Sequence, residues 1–146
     1  MTAPRVLSDS RVIAAPAEEI FAVLADPSHH QDFDGSGSVR DARGPSRKLA
    51  LGDTFGMDMR IVLPYRITNT VVEYEEGRLI AWRHFHGHRW RYELESVDGA
   101  TRVTESFDWS RALTGPVLGW TGIAERNLQS ITATLERLDT LVAGGR

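Results

Sequence analysis

Among the side chains able to move a proton or hold a polar ligand atom, Glu105 stands out because Val103 and Phe107 flank it two residues away on either side. On a strand, alternate residues share a face, so this spacing sets a carboxyl among apolar groups. Lost hydration raises a carboxyl pKa unless a cation or several donors hold the charged form. Such an acid can face a ligand as proton donor or acceptor. The competing reading is a structural glutamate tied to Tyr92 or an arginine, or one that reaches water near a sheet edge.

A turn names the partner of that carboxyl. Asp98-Gly99 is a strong two-residue hairpin signal. It pairs Val97 with Ala100, Glu95 with Arg102, Leu94 with Val103, Tyr92 with Glu105 and Trp90 with Phe107. One face then carries Trp90, Tyr92, Leu94, Val103, Phe107 and Trp109. The other sets Glu95 against Arg102 and Arg89 against Asp108, opposite charges across the strands. Tyr92 is thereby expected directly opposite Glu105, within reach to donate a hydrogen bond.

The histidines divide into two groups. His84, His86 and His88 alternate as strand ligands of a metal would, but Gly87 lets the chain turn between them and splay the rings, so no metal site is expected. The simpler reading is an inward His84 and two solvated loop histidines. Trp82 and His84 share the face of Trp90 and Tyr92 only if the connecting loop has odd length or contains a bulge. His29 and His30, with Asp32 and Asp34, fall where a loop can border a pocket entrance. There an acid can orient a base, or the group is simply a polar helix end. No Gly-x-Ser-x-Gly elbow is present. Gly35 and Gly37 are not followed by the Gly-Lys-Ser/Thr of a phosphate loop.

The candidates for catalysis are therefore Glu105, His84 and Tyr92. Phe33, Phe55, Met57, Met59, Trp82, Trp90, Tyr92, Glu105, Phe107, Trp109, Trp120 and Ala124 are the candidate ligand-binding residues. Aromatic walls and adaptable methionines on inward faces suit a planar or lipid-like ligand. Taken singly, each is equally suited to an ordinary core.

These side chains need elements to position them. Val6 to Ala14 reads as a first strand. Ala15-Pro16-Ala17-Glu18-Glu19 then opens a helix, with proline in its first turn and acids at its positive end. Asp26-Pro27 stops it, because a residue preceding proline is biased away from helical geometry. His29 to Phe33 suits one further turn, and residues 34–38 a loop. Period-two alternation begins near Asp53, with Phe55, Met57, Met59 and Ile61 on one face. Further strands are expected over Ile67 to Glu75, Arg78 to Phe85, Arg89 to Val97 and Thr101 to Trp109. From Pro116 to Val142 the apolar seam Val117, Thr121, Ala124, Leu128, Ile131, Leu135, Leu138 and Val142 follows a helical period. A helix with one apolar side needs a partner, and the sheet is the partner large enough to supply one.

Composition narrows the class without choosing a function. The 146 residues suit a single domain, 1–146, and the 41% hydrophobic and 25% charged content is that of a soluble globular protein. With no cysteine, thiol catalysis and thiolate metal sites are excluded. A net charge of -3 gives no general attraction to nucleic acid. No apolar run approaches the roughly 18 residues of a membrane span, and the opening residues lack the apolar core of a signal peptide, so a cytoplasmic location is expected. No cofactor is called for.

The stretch Val12-Ile13-Ala14-Ala15-Pro16-Ala17-Glu18-Glu19-Ile20-Phe21-Ala22-Val23-Leu24-Ala25-Asp26-Pro27 resembles the opening of the SRPBCC superfamily, the START-like or polyketide cyclase/dehydrase proteins related to the birch-pollen allergen (Bet v 1) fold. His30, Phe33, Asp34 and Gly35 resemble the segment that follows, where many relatives carry tryptophan in place of Phe33. Val72-Glu73-Tyr74, Leu79-Ile80-Ala81-Trp82 and the long final helix extend the likeness over essentially the whole chain. The resemblance implies an α+β helix-grip fold: a curved antiparallel sheet of about six or seven strands, two short helices, and a long C-terminal helix closing a hydrophobic cavity. It further implies a hydrophobic small molecule as partner, of lipid, polyketide or aromatic type. Three functions follow as expectations: binding of such a molecule, a polyketide cyclase or aromatase/dehydratase reaction using buried polar groups, or a co-chaperone-like interaction domain. The superfamily has no shared catalytic motif to carry over, and fold alone does not choose among these.

Overall fold

The structure is a computed structural model that describes residues 6–35, 39–43, 47–60, 64–83, 88–108 and 123–144, with the backbone alone described at 39–43, 58–60, 64–67 and 123–127. Strand β1 (Val6–Ile13) leads into helix α1 (Ala17–Leu24), a 3-10 turn (Pro27–His29) and the single-turn helix α2 (His30–Phe33). Six strands follow: β2 (Val39–Arg43), β3 (Thr54–Arg60), β4 (Pro64–Glu75), β5 (Leu79–Arg83), β6 (Arg89–Val97) and β7 (Ala100–Asp108). The long helix α3 (Ile123–Ala143) closes the order.

The seven strands form one antiparallel sheet in the order β1-β7-β6-β5-β4-β3-β2. Every step from β2 to β7 is a neighbour in sequence, so each pairing closes a short loop at small entropic cost. Only β1 arrives from a distance, pairing Leu7 with Phe107, Asp9 with Glu105 and Ile13 with Thr101. Helix-grip architecture is thus present, with α1, α2 and α3 against one face of the sheet.

The expected hairpin register holds at every position. Asp98 and Gly99 have φ of 48° and 83°, the two positive values that a type I′ turn requires. Val97 pairs with Ala100, Tyr92 with Glu105 and Trp90 with Phe107. On the outer face Arg102 meets Glu95 at 3.4 Å. Arg89 lies across from Asp108, and its guanidinium also reaches Glu73 on β4 at 3.2 Å. The parity of the β5–β6 connection is odd: Arg83 pairs with Arg89 and Trp82 with Trp90, leaving residues 84–88 between them. Trp82 and Ile80 therefore share the inner face with Trp90 and Tyr92.

Several expectations are revised. Strand β2 carries no apolar alternation in Val39-Arg40-Asp41-Ala42-Arg43, because it is a short polar edge with a register shift between Val39 and Asp41. Strand β4 begins at Pro64 rather than Ile67, and proline is tolerated there as a first strand residue. Strand β7 begins at Ala100 rather than Thr101, while Trp109, Trp120 and His84 lie outside the described residues, as does the expected start of the final helix. The helical seam is buried at Ile131, Leu135 and Leu138, whereas Leu128 is 38% exposed. Polar contacts also fasten α3 to β1. Thr132 donates to Asp9 at 2.8 Å and Arg11 donates to Asp139 at 2.7 Å, so the helix is held to the sheet from Thr132 onward.

A second fastening joins the end of α2 to α3. The Gly35 N–H donates to the buried Thr134 hydroxyl at 2.8 Å, and Arg137 donates to the Asp34 carbonyl at 2.6 Å. The backbone at Gly35 lies so near the helix that an added Cβ would stand 2.5 Å from both Ser130 O and Thr134 N. Those are backbone atoms and cannot swing aside. Gly35→Ala is expected to lower unfolding free energy by about 1–3 kcal/mol through overpacking, read as a reduced urea midpoint. Gly77→Ala meets no neighbouring atom, so its cost comes only from its φ of +74°.

Candidate functional site

The inner face of the sheet places Tyr92 and Glu105 side by side beneath α3. The Tyr92 hydroxyl donates to Glu105 Oε2 at 2.9 Å, and both residues are almost completely buried. The other carboxyl oxygen, Oε1, is buried without a hydrogen-bond partner among the described residues. A buried unsatisfied polar atom is rare in folded proteins and costs about 1–3 kcal/mol. Burial pushes the Glu105 carboxyl well above the usual carboxylate range; the Tyr92 hydrogen bond opposes this, while the charges of Asp34 and Asp9 reinforce it. Burial also pushes the Tyr92 phenol up, with the Glu105 charge acting in the same direction. In both groups burial favours the protonated form over the charged one.

Aromatic rings extend from this pair. The Trp82 ring lies 5.5 Å from Tyr92 and stacks on His30 at 4.7 Å and 19°. His30 meets Phe33 and Phe55 edge-on at 5.3 and 5.2 Å, and Phe33 returns to Tyr92 at 6.4 Å. Strands β3, β5 and β6 and helix α2 thus contribute to one aromatic wall. Met57 is buried on the same face. Trp90 and Phe107 form a separate contact at 4.5 Å, with His88 against Phe107 at 5.5 Å. Of the residues expected at a site, Phe33, Phe55, Trp82, Tyr92 and Glu105 are linked in this way. Met59 and Ala124 lie in β3 and α3 at positions where only the backbone is described.

His30 was expected only at a pocket border, yet it is the centre of the wall. The ring is 5% exposed, and its Nε2–H donates to the Leu24 carbonyl at 2.9 Å. A carbonyl can only accept, so this bond sets the neutral tautomer. Burial pushes the imidazole down to about 4, against the Leu24 hydrogen bond that raises it. His29 behaves differently: half-buried, it lies 3.3 Å from Asp32. The available signal for His30 was its spacing from Phe33, three residues on, which places both on one side of a helical turn.

Comparison with known proteins follows from this geometry. The sequence matches the family described as polyketide cyclase / dehydrase and lipid transport over residues 4–143. The chain belongs to that family. It is 42% identical to the uncharacterized protein Rv0088 of Mycobacterium tuberculosis over 98% of its own length, and it spans 66% of that relative. Among solved structures, protein NE0264 from Nitrosomonas europaea superposes with a TM-score of 0.73 at 17% identity, covering 99% of this chain and 98% of the other. Protein Ms6760 from Mycobacterium smegmatis gives 0.71 at 18% identity, covering 97% and 93%. At such identities these two support the fold alone. The SRPBCC membership expected from the N-terminal segment therefore holds.

Among the described residues, no group of three or more His, Asp or Glu side chains could hold a metal ion, and no helix is long and apolar enough to cross a membrane. Glu105, Tyr92 and the rings beside them offer proton donation, hydrogen bonding and aromatic contact.

The two buried titratable groups predict opposite pH dependences. His30 is protonated more readily in the unfolded chain, so its contribution is complete above pH 6.5 and is lost as pH falls toward about 4, a change of about 3 kcal/mol. Glu105 retains its proton in the fold and loses it in the unfolded chain above about 4.5, so stability declines as pH rises from there toward its raised folded value. The two slopes oppose each other from about 4.5 upward, and urea unfolding of wild type and Glu105→Gln across pH separates them. In Glu105→Gln the decline is removed while the acid-side loss persists.

Proposed function

We propose that the protein binds a hydrophobic small molecule against the inner face of its sheet, with the Tyr92–Glu105 pair as the polar anchor and the aromatic wall as the contact surface. The observation that carries this reading is the buried Glu105 Oε1 without a partner among the described residues. Filling that face with an aliphatic core would stabilise the fold more, because an unmatched buried acceptor or donor is destabilising. Retaining a tethered carboxyl there makes sense if a ligand completes it. Rigid aromatic side chains around a few oriented polar groups are the usual composition of a small-molecule site. The family description, which includes lipid transport, agrees with such a role.

A second reading draws on the same pair. A buried carboxyl whose protonated form is favoured, beside a phenol, can act as a general acid, giving its proton to a departing hydroxyl in a dehydration or to a carbonyl oxygen during ring closure. The cyclase and dehydrase part of the family description suits this chemistry.

Native mass spectrometry of the purified protein is expected to retain an apolar small molecule that is released on unfolding. Titration with Nile red is expected to give the enhanced, blue-shifted emission of a dye in an apolar site. A folded protein that carries no adduct and leaves Nile red unchanged would count against binding. For the enzymatic reading, Glu105→Gln is expected to abolish turnover while keeping ligand affinity within about threefold, since one neutral hydrogen bond is worth about 1 kcal/mol. Unchanged turnover removes Glu105 from the mechanism.

A further inference from the structure

We propose that Glu105 presents its free carboxyl oxygen as a hydrogen-bond donor, so that the site selects uncharged ligands bearing an acceptor oxygen, such as ketones and esters, over carboxylates. The inference rests on the binding role proposed above and narrows its ligand class.

The geometry gives the two oxygens of Glu105 different tasks. Tyr92 has one hydroxyl hydrogen and directs it to Oε2 at 2.9 Å, so Oε2 is the accepting oxygen. The proton of the neutral acid then belongs on Oε1, the oxygen that has no partner among the described residues. An O–H in that position lacks an acceptor, and a carbonyl oxygen supplies one without adding charge. The aromatic wall beside it, Phe33, Trp82 and Tyr92, offers flat apolar contact to the rest of such a molecule.

The surroundings disfavour an anion. Asp9 on β1 is directly across the strand register from Glu105, and Asp34 after α2 also acts on it. From β6 the neighbour is the neutral Tyr92. Two arginines on the neighbouring elements are directed elsewhere: Arg11 on β1 bonds Asp139 at 2.7 Å and Arg137 on α3 bonds the Asp34 carbonyl at 2.6 Å. A carboxylate entering this site would leave water and approach two acids with no described cation turned toward it. That cost falls on the ligand whatever its apolar part.

Three probes of similar apolar shape separate the possibilities: benzophenone, diphenylmethane and diphenylacetate, each measured by equilibrium dialysis at neutral pH. Wild type is expected to hold benzophenone about three- to tenfold more tightly than diphenylmethane, the range of one buried hydrogen bond, and diphenylacetate least. Glu105→Leu is expected to fold and to bind benzophenone and diphenylmethane equally. Glu105→Gln retains an N–H donor and is expected to keep part of the preference. Diphenylacetate binding as well as benzophenone, or an unchanged ketone preference in folded Glu105→Leu, would overturn donor selection while leaving hydrophobic binding intact. Failure of all three probes to bind folded wild type would overturn the binding role itself and this inference with it.

Discussion

The pairing of β6 with β7 constrains everything else on the inner face. Positive φ at both Asp98 and Gly99 gives the hairpin a turn whose twist matches its strands, and this sets the register with no freedom for a slip. A one-residue slip would send Glu105 to the solvent face and bring a different residue opposite Tyr92. Because β1 also pairs with β7, the same register brings Asp9 opposite Glu105. Helix α3 then reaches that edge through Thr132 and Asp139. The buried acid, its phenol partner and the helix above them therefore depend on two turn residues.

The site combines a stable apolar wall with one unresolved polar demand. His30 is held neutral by burial, against the pull of its hydrogen bond to Leu24, so it behaves as an aromatic surface between Phe33, Phe55 and Trp82. Glu105 differs because its acid group has two hydrogen-bonding ends and Tyr92 satisfies only one of them. Large apolar side chains such as Ile20, Phe21, Leu24, Ile80 and Leu135 are buried around the three helices. Each contributes about 1.5–3 kcal/mol of burial, enough in sum to tolerate one unmatched polar atom. The fold can thus carry one buried carboxyl oxygen without a partner among the described residues.

Family membership fits this division between scaffold and site. The match over residues 4–143 is to a family whose description spans cyclases, dehydrases and lipid transport, and one fold can host several functions. The two superposed structures, each under 20% identical, share the scaffold with little sequence in common. Tyr92 and Glu105 form a hydrogen-bonded polar pair on the inner face of that scaffold. The Gly35 contact with α3 belongs to the scaffold: it holds the α2 end against the helix, with Thr134 and Arg137 as its fastenings.

Local chemistry made the Tyr92–Glu105 pair legible in the sequence. Period-two alternation tells which residues share a face, and Asp98-Gly99 sets the register, so two short-range rules suffice to bring the pair together. The edge strand β2 was not legible, since a short polar strand is defined by the partner it pairs with rather than by its own pattern. Nor was the inward turn of Trp82, which depended on the number of residues bridging β5 and β6. His30 shows the limit most clearly, because its burial arises from α2 lying against β3 and β5, contacts between segments far apart in the chain. The sequence by itself determined β1 and the strands from β3 to β7, the decisive turn and the carboxyl placed among apolar residues, all consequences of neighbouring residues. Tertiary structure alone decided that this carboxyl would lie under a helix, meet an aromatic wall and keep one oxygen unsatisfied, because burial is a property of the assembled layers.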